Sequence, residues 1–189
     1  MMGTLSARIK HRLNASWTRL CRWMSLRPRV TGRIKLRGRT DRMSIHPSFR
    51  CDGDLWLGVH SDLGAITIKE GVSASGPLVV TAIQPLRIGA GTLFGPNVLV
   101  TDHYHGDLRD PAHRALPPSL RPLHSPGPIE IGNRVQLGAN VVVLSPTRIG
   151  DGAVVAANAV VKGDIPAWSI YTGINSPARP LFRDDSDGE

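Results

Sequence analysis

Large aromatic side chains are scarce in this chain, with Phe, Trp and Tyr making up 5% of 189 residues. A core of stacked rings is excluded, and small aliphatic side chains must do the packing. Cysteine is nearly absent: Cys21 and Cys51 are too few for a disulfide framework or a four-cysteine zinc site, so a reducing, cytoplasmic setting is expected. No run approaches the roughly eighteen apolar residues of a membrane span, and no uninterrupted apolar leader stands at the N-terminus. Acidic residues are missing from positions 1–40, which hold eleven of the 23 Lys and Arg; the other twelve basic residues are outnumbered by fifteen acids. The formal charge of +8 therefore belongs to one segment. Without aromatic interleaving, a helix-turn-helix or a zinc motif, no nucleic-acid partner is expected.

Within the basic segment Ile9, Leu13, Trp17, Leu20 and Met24 recur at spacings of four, four, three and four, along one face of a helix. Arg8, Arg12, Arg19 and Arg22 fall mostly off that stripe. A basic amphipathic helix with Trp17 and Trp23 suits the surface of an anionic bilayer, and peripheral contact of residues 5–26 with the inner face of the membrane is expected; the plainer reading is a helix that caps the body. Three parts follow: the basic segment 1–29, a main domain 30–182 and an acidic tail 183–189.

From Ile129 the chain repeats in sixes, IEIGNR, VQLGAN, VVVLSP, TRIGDG, AVVAAN, AVVKGD, with Ile131, Leu137, Val143, Ile149, Val155 and Val161 spaced without a break. Two positions before each stands Ile129, Val135, Val141, Thr147, Ala153 or Ala159, and glycine follows three of the six, at Gly132, Gly138 and Gly150. A period of six with two inward aliphatics fits a short strand plus a corner, and three such units make one coil of a parallel β-helix. A helical bundle would not keep that period. The pattern extends upstream with slips: Leu55 and Leu57, Ser61 and Leu63, Ile66 and Ile68, Val72 and Ala74, Leu78 and Val80, Leu86 and Ile88, Thr92 and Phe94, Val98 and Val100. It breaks between Thr101 and Pro128, in a segment rich in His, Pro and charge; long excursions from a compact repeat are usually functional.

The hexad array, the DHYHGD string and the tail VVKGDIPAWSIYTGINSPARPL together resemble the hexapeptide-repeat acyltransferases, and within them the polysaccharide, lipopolysaccharide and galactoside or maltose O-acetyltransferases. The resemblance is specific from about Leu86 to Leu181 and weaker over 41–85. It implies an all-β, left-handed parallel β-helix, a homotrimer, and acetyl-CoA bound between coils as donor. It places the catalytic histidine at His103, with His105 as the alternative and Asp102 as an orienting or turn residue. An imidazole there accepts the proton of an attacking sugar hydroxyl. His124 is structural or substrate-facing, and His11, His46, His60 and His113 have no motif context. The resemblance further implies an oxyanion donor at the Ala139 backbone, and Ala157, Lys162 and Gly163 along the pantetheine arm on the same edge. Arg179 and Arg183 would meet the nucleotide phosphates. Three histidines, His103, His105 and His124, are present in the excursion, but their spacing does not match hexapeptide-repeat carbonic anhydrases, and no metal is expected. Departures are Gln136 where many relatives carry Trp, and Arg148 in place of a small residue. The expected activity is acetyl transfer from acetyl-CoA to a sugar hydroxyl of a surface or exported polysaccharide or its precursor. Amino-sugar N-acetylation and a non-catalytic scaffold are the alternatives.

Overall fold

The structure, a computed structural model, describes residues 29–173 and 177–181. The basic segment 1–28 and the tail from 182, including Arg183, lie outside the described residues. The chain winds as a parallel β-solenoid of about six turns, each turn laying a short strand on each of three faces. The first face holds Arg29–Val30, Arg50–Cys51, Ser73–Ala74, Leu93–Phe94, Gln136–Leu137, Val154–Val155 and Ser169–Tyr171. The second holds Ile34–Gly38, Leu55–Val59, Leu78–Ala82, Val98–Thr101 and the first parts of Val142–Ile149 and Val160–Ile165. The third holds Met43–Ile45, Ala65–Ile68, Pro85–Ile88, Ile129–Ile131 and the later parts of those same two strands, which bend round the corner. Arg179–Pro180 closes the first face antiparallel to Ser169–Tyr171.

Inward residues of successive coils stack in columns. On the third face Ile45, Ile68, Ile88, Ile131, Ile149 and Ile165 are direct neighbours, each no more than 5% exposed. On the second face Leu57, Val80, Val100, Val143 and Val161 do the same. Full burial of such a side chain stabilises by about 1.5–3 kcal/mol, so these aliphatic ladders make up most of the core, with only two rings, Phe49 and Phe94, fully buried among the described residues. All twelve inward positions of the strict hexads are buried, as are the upstream pairs, with one exception. Leu63 is 71% exposed, so Ser61 and Leu63 are not a core unit. Ser61 instead shapes the corner, its hydroxyl donating to the Ile83 carbonyl at 2.5 Å and accepting from the Gly64 N–H at 2.9 Å.

The corner glycines answer to stacking. A Cβ on Gly138 would lie 2.5 Å from the Ala157 nitrogen, and one on Gly132 would lie 2.8 Å from the Asp151 nitrogen, so the next coil leaves no room. The chain turns between the first and second faces through Asn97, Asn140 and Asn158, at φ of 61°, 59° and 63°. Asn tolerates that left-handed conformation, and these three side chains link coil to coil, Asn97 donating to Asn140 at 3.3 Å and Asn140 to Asn158 at 2.9 Å.

The excursion leaves at the corner between the second and third faces, and Ile129 resumes in register with Leu86. Tyr104–His105 pairs antiparallel with Leu123–His124, and a single helical turn, Pro111–Arg114, is capped by the Asp110 carboxylate. Among the described residues no helix is long and apolar enough to cross a membrane.

Candidate active site

The strand Val98–Thr101 delivers Asp102 and His103 to the start of the excursion. Asp102 is fully buried, and its backbone is tied to the coil through its N–H to the Thr81 carbonyl at 3.3 Å and its carbonyl to the Ser145 hydroxyl at 2.6 Å. Its carboxylate accepts the N–H of Ile83 at 2.9 and 3.0 Å and that of Gln84 at 2.7 Å. The remaining direction of Oδ1 takes His103 Nδ1 at 2.8 Å. A carboxylate accepts and does not donate, so His103 carries its proton on Nδ1 and presents the Nε2 lone pair outward. The ring is nearly covered, with 12% of the side chain exposed. The loop around it is braced by the Tyr104 hydroxyl, which donates to the Ser145 carbonyl at 3.2 Å. An oriented, largely enclosed imidazole with one free nitrogen can take a proton from a hydroxyl or amine brought against it.

Asp102 therefore pairs with His103, whereas His105 is exposed on the small hairpin opposite Leu123 and its ring makes no hydrogen bond among the described residues. His124 is half-buried, its Nε2 3.9 Å from an Asp107 oxygen. Asp107 also accepts from the Arg109 side chain and backbone, which hold its carboxyl down at about 2. His113 accepts the Asp107 N–H at 3.0 Å, so both histidines shape the excursion. Among the described residues no three His, Cys, Asp or Glu side chains gather as a metal site.

Sequence reasoning left His60 without a role, yet its ring lies edge-on to that of His103, centroids 5.7 Å apart and planes at 75°. The one signal for it was its place at the end of a second-face strand, one residue beyond Val59, as His103 stands two residues beyond Thr101. Burial, then the His103 and Arg37 charges, push the His60 imidazole below its ordinary pKa, against the pull of Asp102.

The expected donor-binding residues divide between two corners. Ala139 and Ala157 sit beside Asn140 and Asn158 at the corner between the first and second faces, where small residues leave the backbone accessible. The Ala139 N–H has no acceptor among the described residues. Lys162 and Gly163, expected on the same edge, lie instead at the corner between the second and third faces, below His103, because Val160 and Val161 occupy the second face between them. A strand of four or five residues, about 15 Å, separates the two corners within one chain. Arg179 is exposed on the closing strand opposite Ile170. A groove of about 870 Å³ lies on another part of the surface, beside Arg87, Arg148 and Trp168, and neither His103 nor His60 lines it, so the candidate chemistry is elsewhere.

Residues 128–163 match the bacterial transferase hexapeptide family (six repeats). WbbJ of Escherichia coli, which bears the name of a lipopolysaccharide biosynthesis O-acetyl transferase, is 40% identical over 114 residues, 59% of this chain and 58% of that protein. A 2,3,4,5-tetrahydropyridine-2,6-dicarboxylate N-acetyltransferase of Enterococcus faecalis is 44% identical over 61 residues, 32% of this chain and 25% of that protein. The chain thus spans just over half of the first relative and a quarter of the second. Among solved structures, the polysialic acid O-acetyltransferase OatWY superposes with a TM-score of 0.57 at 20% identity, covering 86% of this chain and 73% of that one. AntD, an N-acyltransferase from Bacillus cereus in complex with dTDP and 3-hydroxybutyryl-CoA, superposes with a TM-score of 0.55 at 18% identity, covering 80% of this chain and 84% of that one. These structures share the solenoid fold.

Proposed function

For a chain that carries the transferase hexapeptide repeat and resembles the sugar O-acetyltransferases, we propose acetyl transfer from acetyl-CoA to a sugar hydroxyl of a surface or exported polysaccharide or its precursor. The observation that carries this reading is the buried Asp102 holding His103 with Nε2 free, at the point where the repeat opens into the excursion. His103 Nε2 takes the proton as the sugar oxygen forms its bond to the thioester carbonyl carbon; the carbon–sulfur bond then breaks, and the proton passes to the departing thiolate. The products are an O-acetyl sugar and free coenzyme A. Charge develops on the carbonyl oxygen, and the unsatisfied Ala139 N–H is a preorganised donor for it.

His103 and Ala139 stand at opposite corners of one face, so the reaction requires a second copy. The outward residues of the second face, Trp56, Val79, Leu99, Val142 and Val160, form a half-exposed apolar column suited to self-association. A homotrimer would bring the Ala139 corner of one subunit to the His103 corner of the next, with Ala157 and Arg179 toward the coenzyme. Lys162 and Gly163 would contribute from the His103 side.

The test is release of coenzyme A thiol with a panel of hydroxyl and amino sugars, with acetyl-CoA binding followed by calorimetry. His103→Ala should lower kcat at least about a hundredfold, the scale of a lost general base, with the trimer intact. Wild-type turnover by that variant refutes the assignment, and loss only in His105→Ala would exchange the two roles. Transfer to amino sugars alone would favour N-acetylation, which the tetrahydropyridine dicarboxylate N-acetyltransferase match brings forward. Absence of acetyl-CoA binding would leave a scaffold.

A further inference from the structure

His60 ends the second-face strand Leu55–Val59, two coils before His103, and folds back over the outer surface of its own strand. Gly58 makes this conformation available. A Cβ on Gly58 would lie 2.5 Å from His60 Nε2, 3.1 Å from its Cε1 and 3.3 Å from Thr81 Cγ2, so the imidazole occupies the room that a side chain at 58 would take. The neighbour of Gly58 in the preceding coil is Arg37, outward and exposed. Arg33 is held by Asp54, and Arg39 by Asp41 and Asp62, whereas Arg37 has no acidic partner among the described residues. Of the carboxylates at this corner, Asp41 and Asp62 are taken by Arg39, and Asp102 is buried and turned onto Ile83, Gln84 and His103. An incoming ligand therefore meets the His60 edge and an unneutralised guanidinium.

We propose that His60 and Arg37, flanking Gly58, form an acceptor subsite beside His103 for a sugar that carries a negative charge near the hydroxyl to be acetylated. This rests on the reading of His103 as the base. His60, neutral at pH 7, orients the sugar by donating to or accepting from a neighbouring hydroxyl, and Arg37 takes the anion in a charge-assisted hydrogen bond. Carboxylate and phosphate share that chemistry.

The experiment follows the His60 ring Cε1–H resonance of the full chain by NMR while methyl glucuronide, a glucose phosphate or neutral methyl glucoside is added. A saturable shift with an anionic sugar and none with the glucoside is expected, and the two anionic arms tell carboxylate from phosphate. Arg37→Met should abolish the difference, and Gly58→Ala, whose Cβ displaces His60, should weaken it. Equal response to glucoside and anionic sugars, or an unaltered response in Arg37→Met, overturns the subsite; amide spectra report whether each variant is folded. In transfer assays Arg37→Met should raise the KM of an anionic acceptor about tenfold, its effect lying chiefly in KM. His103→Ala acts on kcat. Selective binding of anionic sugar without transfer to any sugar would sink the transferase reading and keep the subsite. Transfer with equal KM for neutral and anionic sugars, in wild type and Arg37→Met alike, would sink the subsite and keep the transferase.

Discussion

Replacing Asp102 by Asn exchanges one oxygen for an amide nitrogen of nearly the same size at the centre of the hydrogen-bonding pattern around His103. The oxygen that accepts from Gln84 at 2.7 Å and Ile83 at 3.0 Å stays an oxygen, because it is the one that faces two backbone donors, and the Ile83 N–H gives up its second contact, with Oδ1 at 2.9 Å. The amide nitrogen is therefore placed where Oδ1 met His103 Nδ1 at 2.8 Å. It donates to Nδ1, and the ring must move its proton to Nε2, the nitrogen that has to accept the hydroxyl proton. The backbone stays in place while the tautomer reverses. A lost general base costs about 10²–10⁴ in kcat, or about 2.7–5.4 kcal/mol at 1.36 kcal/mol per decade. The two backbone donors lose a charged acceptor for a neutral one, about 1 kcal/mol each, which lowers Tm by about 4–8 °C for a chain of this size. Thiol release gives kcat, the ring ¹⁵N shifts of His103 give the tautomer, and a thermal melt gives stability. A variant with kcat within about twofold of wild type would refute the argument, as would Nδ1 remaining protonated.

Gly138→Ala should destabilise by about 1–3 kcal/mol in urea titration, since its Cβ meets the Ala157 backbone nitrogen at 2.5 Å; wild-type stability would show that the coils separate freely. The lowered pKa of His60 means that the unfolded chain binds its proton more readily than the folded one, so this contribution to stability is complete above about 6.5 and is lost as pH falls through that value toward the folded pKa. Between about pH 7.5 and 5.5 the wild type should thus lose more stability than His60→Gln, and equal slopes would reject the coupling. For the basic leader, flotation with anionic liposomes should favour the full chain over one beginning at Val30, and equal flotation would dismiss membrane contact.

The hexads from Ile129 to Val161 were legible because every contact they make repeats one between adjacent coils, so the period of six already states which residues point inward. Asp102 and His103 stood out for the same reason: they mark the place where the period stops. His60 did not, because its partner lies 43 positions away and its conformation depends on a missing side chain at Gly58. The corner at Ser61 and Leu63 was misread because polar residues between two strands can imitate a hexad when the chain adds one residue. Lys162 and Gly163, which the resemblance set on the same edge as Ala157, stand at another corner because a single extended strand crosses a whole face between them.

The excursion begins and ends as a hairpin, with Tyr104 opposite His124 and His105 opposite Leu123, and the coil on either side continues as though an ordinary corner stood there. His103 is fixed from the coil side of that hairpin, by Asp102 and the N–H groups of Ile83 and Gln84. The segment beyond the paired strands is thus an appendage whose length and composition can be exchanged while the reactive nitrogen keeps its position. On the proposed transferase reading, exchanging that segment between related solenoids should leave proton transfer by His103 Nε2, and the His60 and Arg37 subsite on the coil, in place.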